Sequence, residues 1–202
     1  MIISDIKPAR KALSILYIDG EYAMKLDTAT LAENCIKVGT ELDDDELKEL
    51  IDKSNYKRAK EKALWLLSGR DYSEKKLSEK LRKDYPEEVA EKVCERMEEL
   101  GLLDDEKYAK RLADDLVYNK KMSLKGAKYK LMEKGISREL CEEILEEYEI
   151  DSVNQIIELI DDKYSLKIND EKGRRRTIAA LQRMGYSWGD ISSALAIYEE
   201  DY

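Results

Sequence analysis

The sequence predicts a mainly α fold: three tandem three-helix repeats in an elongated, curved array, preceded by a small β-hairpin-plus-helix module. Three observations carry this. One phrase recurs at a fixed period: Ser73 with Leu77 and Leu81, then Ser123 with Ala127 and Leu131, then a looser copy through Ile178 and Leu181. Ser123 follows Ser73 by 50 residues, and Leu181 follows Leu131 by the same 50. A period of this size is the mark of stacked helical units, which present long surfaces rather than closed pockets. Second, helix stops and caps fall between the apolar runs: Gly101, Gly135 and Gly185 as stops, Ser73, Ser137 and Ser187 as caps. Third, the chain opens differently, with Asp19-Gly20 between two Ile-, Leu- and Tyr-bearing runs, the short-range signature of a type I′ hairpin.

The elements follow in order. Residues 11–18 and 21–26 form the hairpin. Asp27 caps a helix that runs to Val38, with Gly39 as its left-handed exit. Asp43 caps the next helix, and Glu46 sits at the reciprocal position of a capping box. From Asn55 the chain reads as helix throughout, giving segments 57–70, 73–84 and 86–100, then 104–119, 123–134 and 137–149, then 151–164, 171–184 and 187–199. Domain boundaries are expected at 1–54, 55–103, 104–150 and 151–202. The apolar stripes are Ala59, Ala63, Leu64, Leu66 and Leu67; Val89, Val93, Met97 and Leu100; and Leu140, Ile144, Leu145 and Tyr148. Trp65 is expected in the core, and Trp188 as a seal on the Gly185 turn. A three-helix unit of this size buries too little to be stable alone, so neighbouring units are expected to share core.

Composition narrows the function. The 202 residues carry 36 Lys/Arg against 45 Asp/Glu, a net charge of −9, so the chain as a whole repels nucleic acid and anionic membranes. Residues 1–56 are the most acidic part, with 7 Lys/Arg against 12 Asp/Glu, whereas residues 106–150 balance at 10 and 10. Contact with a polyanion would have to use local basic stripes. There is no histidine, which removes the commonest general base and metal ligand. No Gly-rich phosphate loop or nucleophile motif occurs, so no catalysis, cofactor or metal is expected. Cys35, Cys94 and Cys141 lack CxxC spacing and read as small packed hydrophobes in a reducing compartment. No apolar run approaches the ~20 residues of a membrane span, and no signal-peptide core appears. A cytoplasmic monomer is expected, with no membrane partner.

Two basic clusters are the candidate binding residues. Lys120, Lys121, Lys125 and Lys128 form the first; Lys121, Lys125 and Lys128 make one stripe if the helix reaches back that far. Arg174, Arg175, Arg176 and Arg183 form the second, with Arg176 and Arg183 seven apart on similar faces. Guanidinium forks suit carboxylate or phosphate. The competing reading is a solvated helix start paired with Asp170 and Glu171. Gly126, inside the first cluster, costs roughly 1 kcal/mol relative to Ala in a helix. It marks either a close approach of a neighbouring backbone or a late helix start.

These residues carry a resemblance. Ala63-Leu64 through Leu67, Arg70, Tyr72 and Ser73 resemble the opening of RecX regulatory proteins, as do Leu100-Gly101 through Leu103-Asp104, Tyr108 and Ala109. Lys125-Gly126 leading to Leu131, Gly135-Ile136 and Ser137 is similar, and so is Arg174-Arg175-Arg176 leading to Leu181, Arg183, Gly185-Tyr186 and Ser187. The matches span about residues 57 to 190. The resemblance implies a non-enzymatic protein of three tandem three-helix repeats. It would lie in the groove of the RecA recombinase–DNA filament and restrain ATP hydrolysis, strand exchange and co-protease activity. The other class of reading is a stand-alone nucleic-acid-binding repeat protein. The chain departs from the family in being acidic, and in lacking a glycine after Asp84.

Overall fold

In the computed structural model, residues 1–166, 168 and 170–201 are described, the side chains of residues 200 and 201 excepted. Residues 167 and 169, inside the polar stretch that precedes the Arg-rich helix, and residue 202 lie outside that set. The chain is mainly helical, with one small antiparallel sheet near its start. It divides into two compact units, Met1–Leu103 and the residues from Asp104 on.

In the first unit, strands β1 (Ile3–Pro8), β2 (Leu13–Ile18) and β3 (Glu21–Asp27) form a meander in that order. Asp19 and Gly20 both take positive φ, 50° and 90°, and bring Ile18 opposite Glu21, as the hairpin signal required. β1 was not foreseen. Its alternation is weak, and it is held by β2 on one side and, at its start, by the chain at 39–42: Ile3 N–H donates to Thr40 O and Gly39 N–H to Ile3 O. The hairpin begins at Leu13 rather than at Lys11, because Lys11 and Ala12 are left-handed.

The helix expected to reach Val38 ends sooner. α1 (Thr28–Glu33) stops where Cys35 turns left-handed (φ 56°) and Ile36 N–H closes back on Leu31 O, a Schellman-type exit. Cys35 is therefore exposed rather than packed, unlike the buried Cys94 and Cys141. Burial pushes the Cys94 thiol up to about 12 and raises that of Cys141.

α2 (Asp44–Gly69) opens with the expected capping box, Asp43 with Glu46. It then runs unbroken through 26 residues, joining what reads from sequence as two helices. Its stripe of Ala59, Ala63, Leu66 and Leu67 packs on α3 (Glu74–Leu81) and α4 (Glu87–Glu99), against Leu77, Leu81, Val93 and Met97. Trp65 lies about 200° around the helix from Ala63 and points outward, 72% exposed, so it is not a core residue. Leu64 is likewise exposed. Leu100 leaves the stripe as well: α4 ends before it, and Leu103 fills the core instead, its N–H on Met97 O.

Asp27 ties the sheet to α2. Its backbone N–H donates to the buried Ser54 hydroxyl at 2.8 Å, its carboxylate caps Thr30 N–H at 2.8 Å, and Lys57 Nζ lies 3.4 Å away. Burial pushes this carboxyl up, but the Thr30 donors and Lys57 together outweigh it and hold the carboxyl below its ordinary value. A depressed folded pKa stabilises fully above the unfolded value of about 3.9 and is lost as pH falls through the folded value. Asp27→Asn is therefore expected to flatten the acid limb of thermal melts below roughly pH 4. An unchanged acid limb would remove Asp27 from acid unfolding.

The second unit repeats the same grammar twice. α5 (Asp105–Asp114) continues into a wide π turn over Asp115–Asn119, followed by α6 (Leu124–Glu133) and α7 (Arg138–Glu146). α8 (Ser152–Leu159) continues into a second π turn over Ile160–Tyr164, followed by α9 (Glu171–Arg183) and α10 (Trp188–Asp201). Ser137 and Ser187 cap as expected, accepting from Leu140 and Asp190 N–H, and Ser123, expected to begin a helix, caps it by accepting from Gly126 N–H. Gly135 and Gly185 take φ of 97° and 92° at the helix stops. Leu131, Ile136, Cys141 and Ile144 form one core, and Ile156, Leu159, Leu181 and Ile191 the next; Met184 packs against both. Trp188 does not seal the Gly185 turn and stands 60% exposed; the buried Tyr186 occupies that place.

Candidate partner-binding surface

The surface is organised by a backbone contact. A Cβ built on Gly126 would sit 2.0 Å from Met184 O, so α6 and the end of α9 touch main chain to main chain there. Of the two sequence readings of Gly126, close approach is the one found. Ser123 fastens the contact: its hydroxyl accepts from Gly126 N–H at 3.1 Å and donates to Met184 O at 3.2 Å, and its own N–H donates to the same carbonyl at 3.2 Å.

A partly buried polar chain lies beside it. The Tyr186 hydroxyl is 2.7 Å from both Lys121 O and Gln155 Oε1 and shares its single proton between them. Gln155 Nε2 donates to Val117 O at 2.9 Å, a carbonyl within the first π turn. Burial, with Asp190 and Glu158 nearby, raises the Tyr186 phenol well above its ordinary pKa.

Against this frame the eight candidate cations separate. Lys121 is left-handed (φ 50°) and precedes α6, so the expected Lys121–Lys125–Lys128 stripe does not form. Its ammonium turns to Glu158 at 2.8 Å and Asp162 at 3.0 Å, which raise its pKa. Lys120 pairs with Asp115 at 2.6 Å and Lys128 with Glu142 at 2.5 Å. Arg174 reaches Glu199 at 2.7 Å, and Arg175 pairs with Glu171 at 2.9 Å, the solvated-helix pairing foreseen for one of the three adjacent arginines. Lys125, Arg176 and Arg183 are exposed and make no ion pair among the described residues.

Two hollows flank Arg183. One, of about 470 Å³, is bordered by Met122, Lys125, Gly126, Tyr129 and Met132 from the α6 side and Gln182 and Arg183 from α9. The other, of about 480 Å³, lies along α9 beside Lys172, Arg176 and Thr177, and the buried Thr177 hydroxyl has no hydrogen-bond partner among the described residues. Tyr129, 71% exposed, escaped the sequence reading. Its place one turn beyond the close contact at Gly126 was the available signal. Among the described residues no group of three or more Cys, Asp or Glu is placed to hold a metal ion, and no helix is long and apolar enough to cross a membrane.

Residues 59–97 match the family model for the first three-helix domain of RecX. The chain is 31% identical over 189 residues to regulatory protein RecX of Clostridium acetobutylicum, covering 89% of this chain and 87% of that one. It is 30% identical over 195 residues to the RecX protein of Caldanaerobacter subterraneus, covering 94% and 93%. A crystal structure of a regulatory protein RecX superposes with a TM-score of 0.63 at 22% identity over 96% of this chain and 98% of the other, a likeness of fold. With a relative above 30% identity matched over most of both lengths, the chain belongs to the RecX family of regulatory proteins.

Proposed function

We propose that the chain is a non-enzymatic modulator of the RecA recombinase, binding in the groove of the RecA–DNA filament and restraining its ATPase, strand-exchange and co-protease activities in the cytoplasm. Family membership supports this reading. The observation that carries it on this chain is the trio Lys125, Arg176 and Arg183, which make no ion pairs among the described residues of a protein of net charge −9. With no ion pair among the described residues to break, these cations can exchange water for a partner's carboxylates or phosphates at small cost to the fold. Arg175, held by Glu171, contributes less.

The test is a titration of RecA–single-stranded-DNA ATPase with the purified protein. Turnover is expected to fall with added protein. The Lys125→Glu/Arg176→Glu variant is expected to need about tenfold more protein for the same effect, equivalent to roughly 1.4 kcal/mol of binding. ATPase unaffected by excess wild-type protein would end the proposal. Steeply salt-dependent binding to bare DNA, without any effect on the recombinase, would favour the stand-alone nucleic-acid binder.

A further inference from the structure

We infer that the hollow between α6 and α9 is a docking groove for an acidic protein segment bearing one apolar anchor residue. This rests on reading the face as the partner surface and adds the chemistry of what it grips. The lining is mostly apolar: Met122, whose methyl lies against Gly126, with Tyr129 and Met132 along the same hollow. It is an open hollow of about 470 Å³, within the range of clefts that take up small-molecule-sized groups. Met offers an adaptable surface, and Tyr and Arg are the residues that dominate binding energy at protein interfaces.

The rim is basic and divided by function. Lys128 and Lys130 border the groove with their charges committed to Glu142 and Glu133. Lys125 and Arg183 border it with no carboxylate of their own among the described residues. An apolar anchor on the floor would bring its flanking carboxylates to those two cations, where the Arg183 fork can bind one of them bidentately. Nucleic acid fits less well. Affinity for nucleic acid comes mainly from neutralising many phosphates, this groove supplies two cations unpaired among the described residues, and a Met-lined floor offers phosphate nothing.

The test uses a fluorescein-labelled twelve-residue peptide of Asp and Glu with one central Leu, followed by anisotropy against the full chain. A second peptide with Ser for Leu, and a fifteen-residue thymidine oligonucleotide, are run beside it. Tyr129→Ala and Arg183→Glu are the variants, each checked by circular dichroism; both residues are exposed. Binding of the Leu peptide is expected, about tenfold weaker for the Ser peptide and for each variant. No binding at about 1 mM peptide, or equal binding of both peptides, would overturn the groove. So would tighter binding of the oligonucleotide that is lost in the same variants. The peptide arm contains no recombinase. A groove that binds the peptide beside a RecA ATPase indifferent to the protein would therefore sink the recombinase reading alone, and an ATPase effect without peptide binding would sink the groove alone.

Discussion

Gly126→Ala is expected to destabilise the second unit by about 3 kcal/mol, because an added methyl in a closed contact forces the backbone apart. The methyl carbon would lie 2.0 Å from Met184 O and 2.8 Å from Met184 C, both main-chain atoms with no rotamer to yield. Separation there also lengthens the bonds from Ser123 N–H and Oγ to the same carbonyl. Gly185→Ala approaches the contact from the other side: its Cβ would meet Gly126 Cα and N at 2.5 Å, and Gly185 is left-handed at φ +92°. Left-handed geometry adds roughly 1–2 kcal/mol for a residue with a side chain. The double variant is expected to lose less than the sum, since both methyls open one contact. In thermal melts followed by circular dichroism, Gly126→Ala should lower the transition of a unit near 100 residues by about 12–24 °C while the folded baseline keeps its helical signal. Melting within about 2 °C of the parent would show that the two helices can part freely.

Tyr186→Phe is expected to cost about 2 kcal/mol although it removes a single oxygen, because Lys121 O and Gln155 Oε1 then share no donor in a partly buried site. The same variant should alter the alkaline limb. Burial raises the phenol's pKa in the folded state, so its contribution is complete below the unfolded value of about 10 and is lost as pH rises toward the folded one. The parent protein should therefore lose stability steadily above about pH 10, and the variant, weaker at neutral pH, should show a flatter decline. Identical alkaline limbs would remove Tyr186 from the joint between the two cores and leave the Gly126 contact as its main fastening.

The two variants also mark what could be read from residues alone. Caps and turns were legible because their chemistry is local: Ser123 and Ser187 bond three residues ahead, and Asp19-Gly20 adopts positive φ on its own account. Gly126 was legible as a breach of helix propensity, with its cause open until Met184 was found against it. β1 was not legible, since a short strand of mixed polarity exists through partners at 13–18 and 39–42. The fate of the candidate cations was no more readable. Lys121 finds Asp162 41 residues on, and Arg174 finds Glu199 on another helix, pairings no helical spacing contains. Lys125 and Arg183 are left without an ion pair among the described residues because folding pairs the charges of their neighbours. Trp65 was misplaced because an aromatic inside an apolar-looking run suggests core, whereas the helix phase turns it outward.

The unbroken α2 has a consequence for how the first unit meets anything it touches. At 1.5 Å per residue its 26 residues make a strut of about 39 Å that carries the sheet at one end and the helices of the RecX-matching segment at the other. No glycine or proline interrupts it before Gly69, and Asp27, Ser54 and Lys57 brace it against the sheet. Sheet and bundle are thus orientated before any encounter. A ligand spanning both would surrender little rotational freedom on their behalf, so its grip would be decided by the match of surfaces rather than by the ordering of a joint.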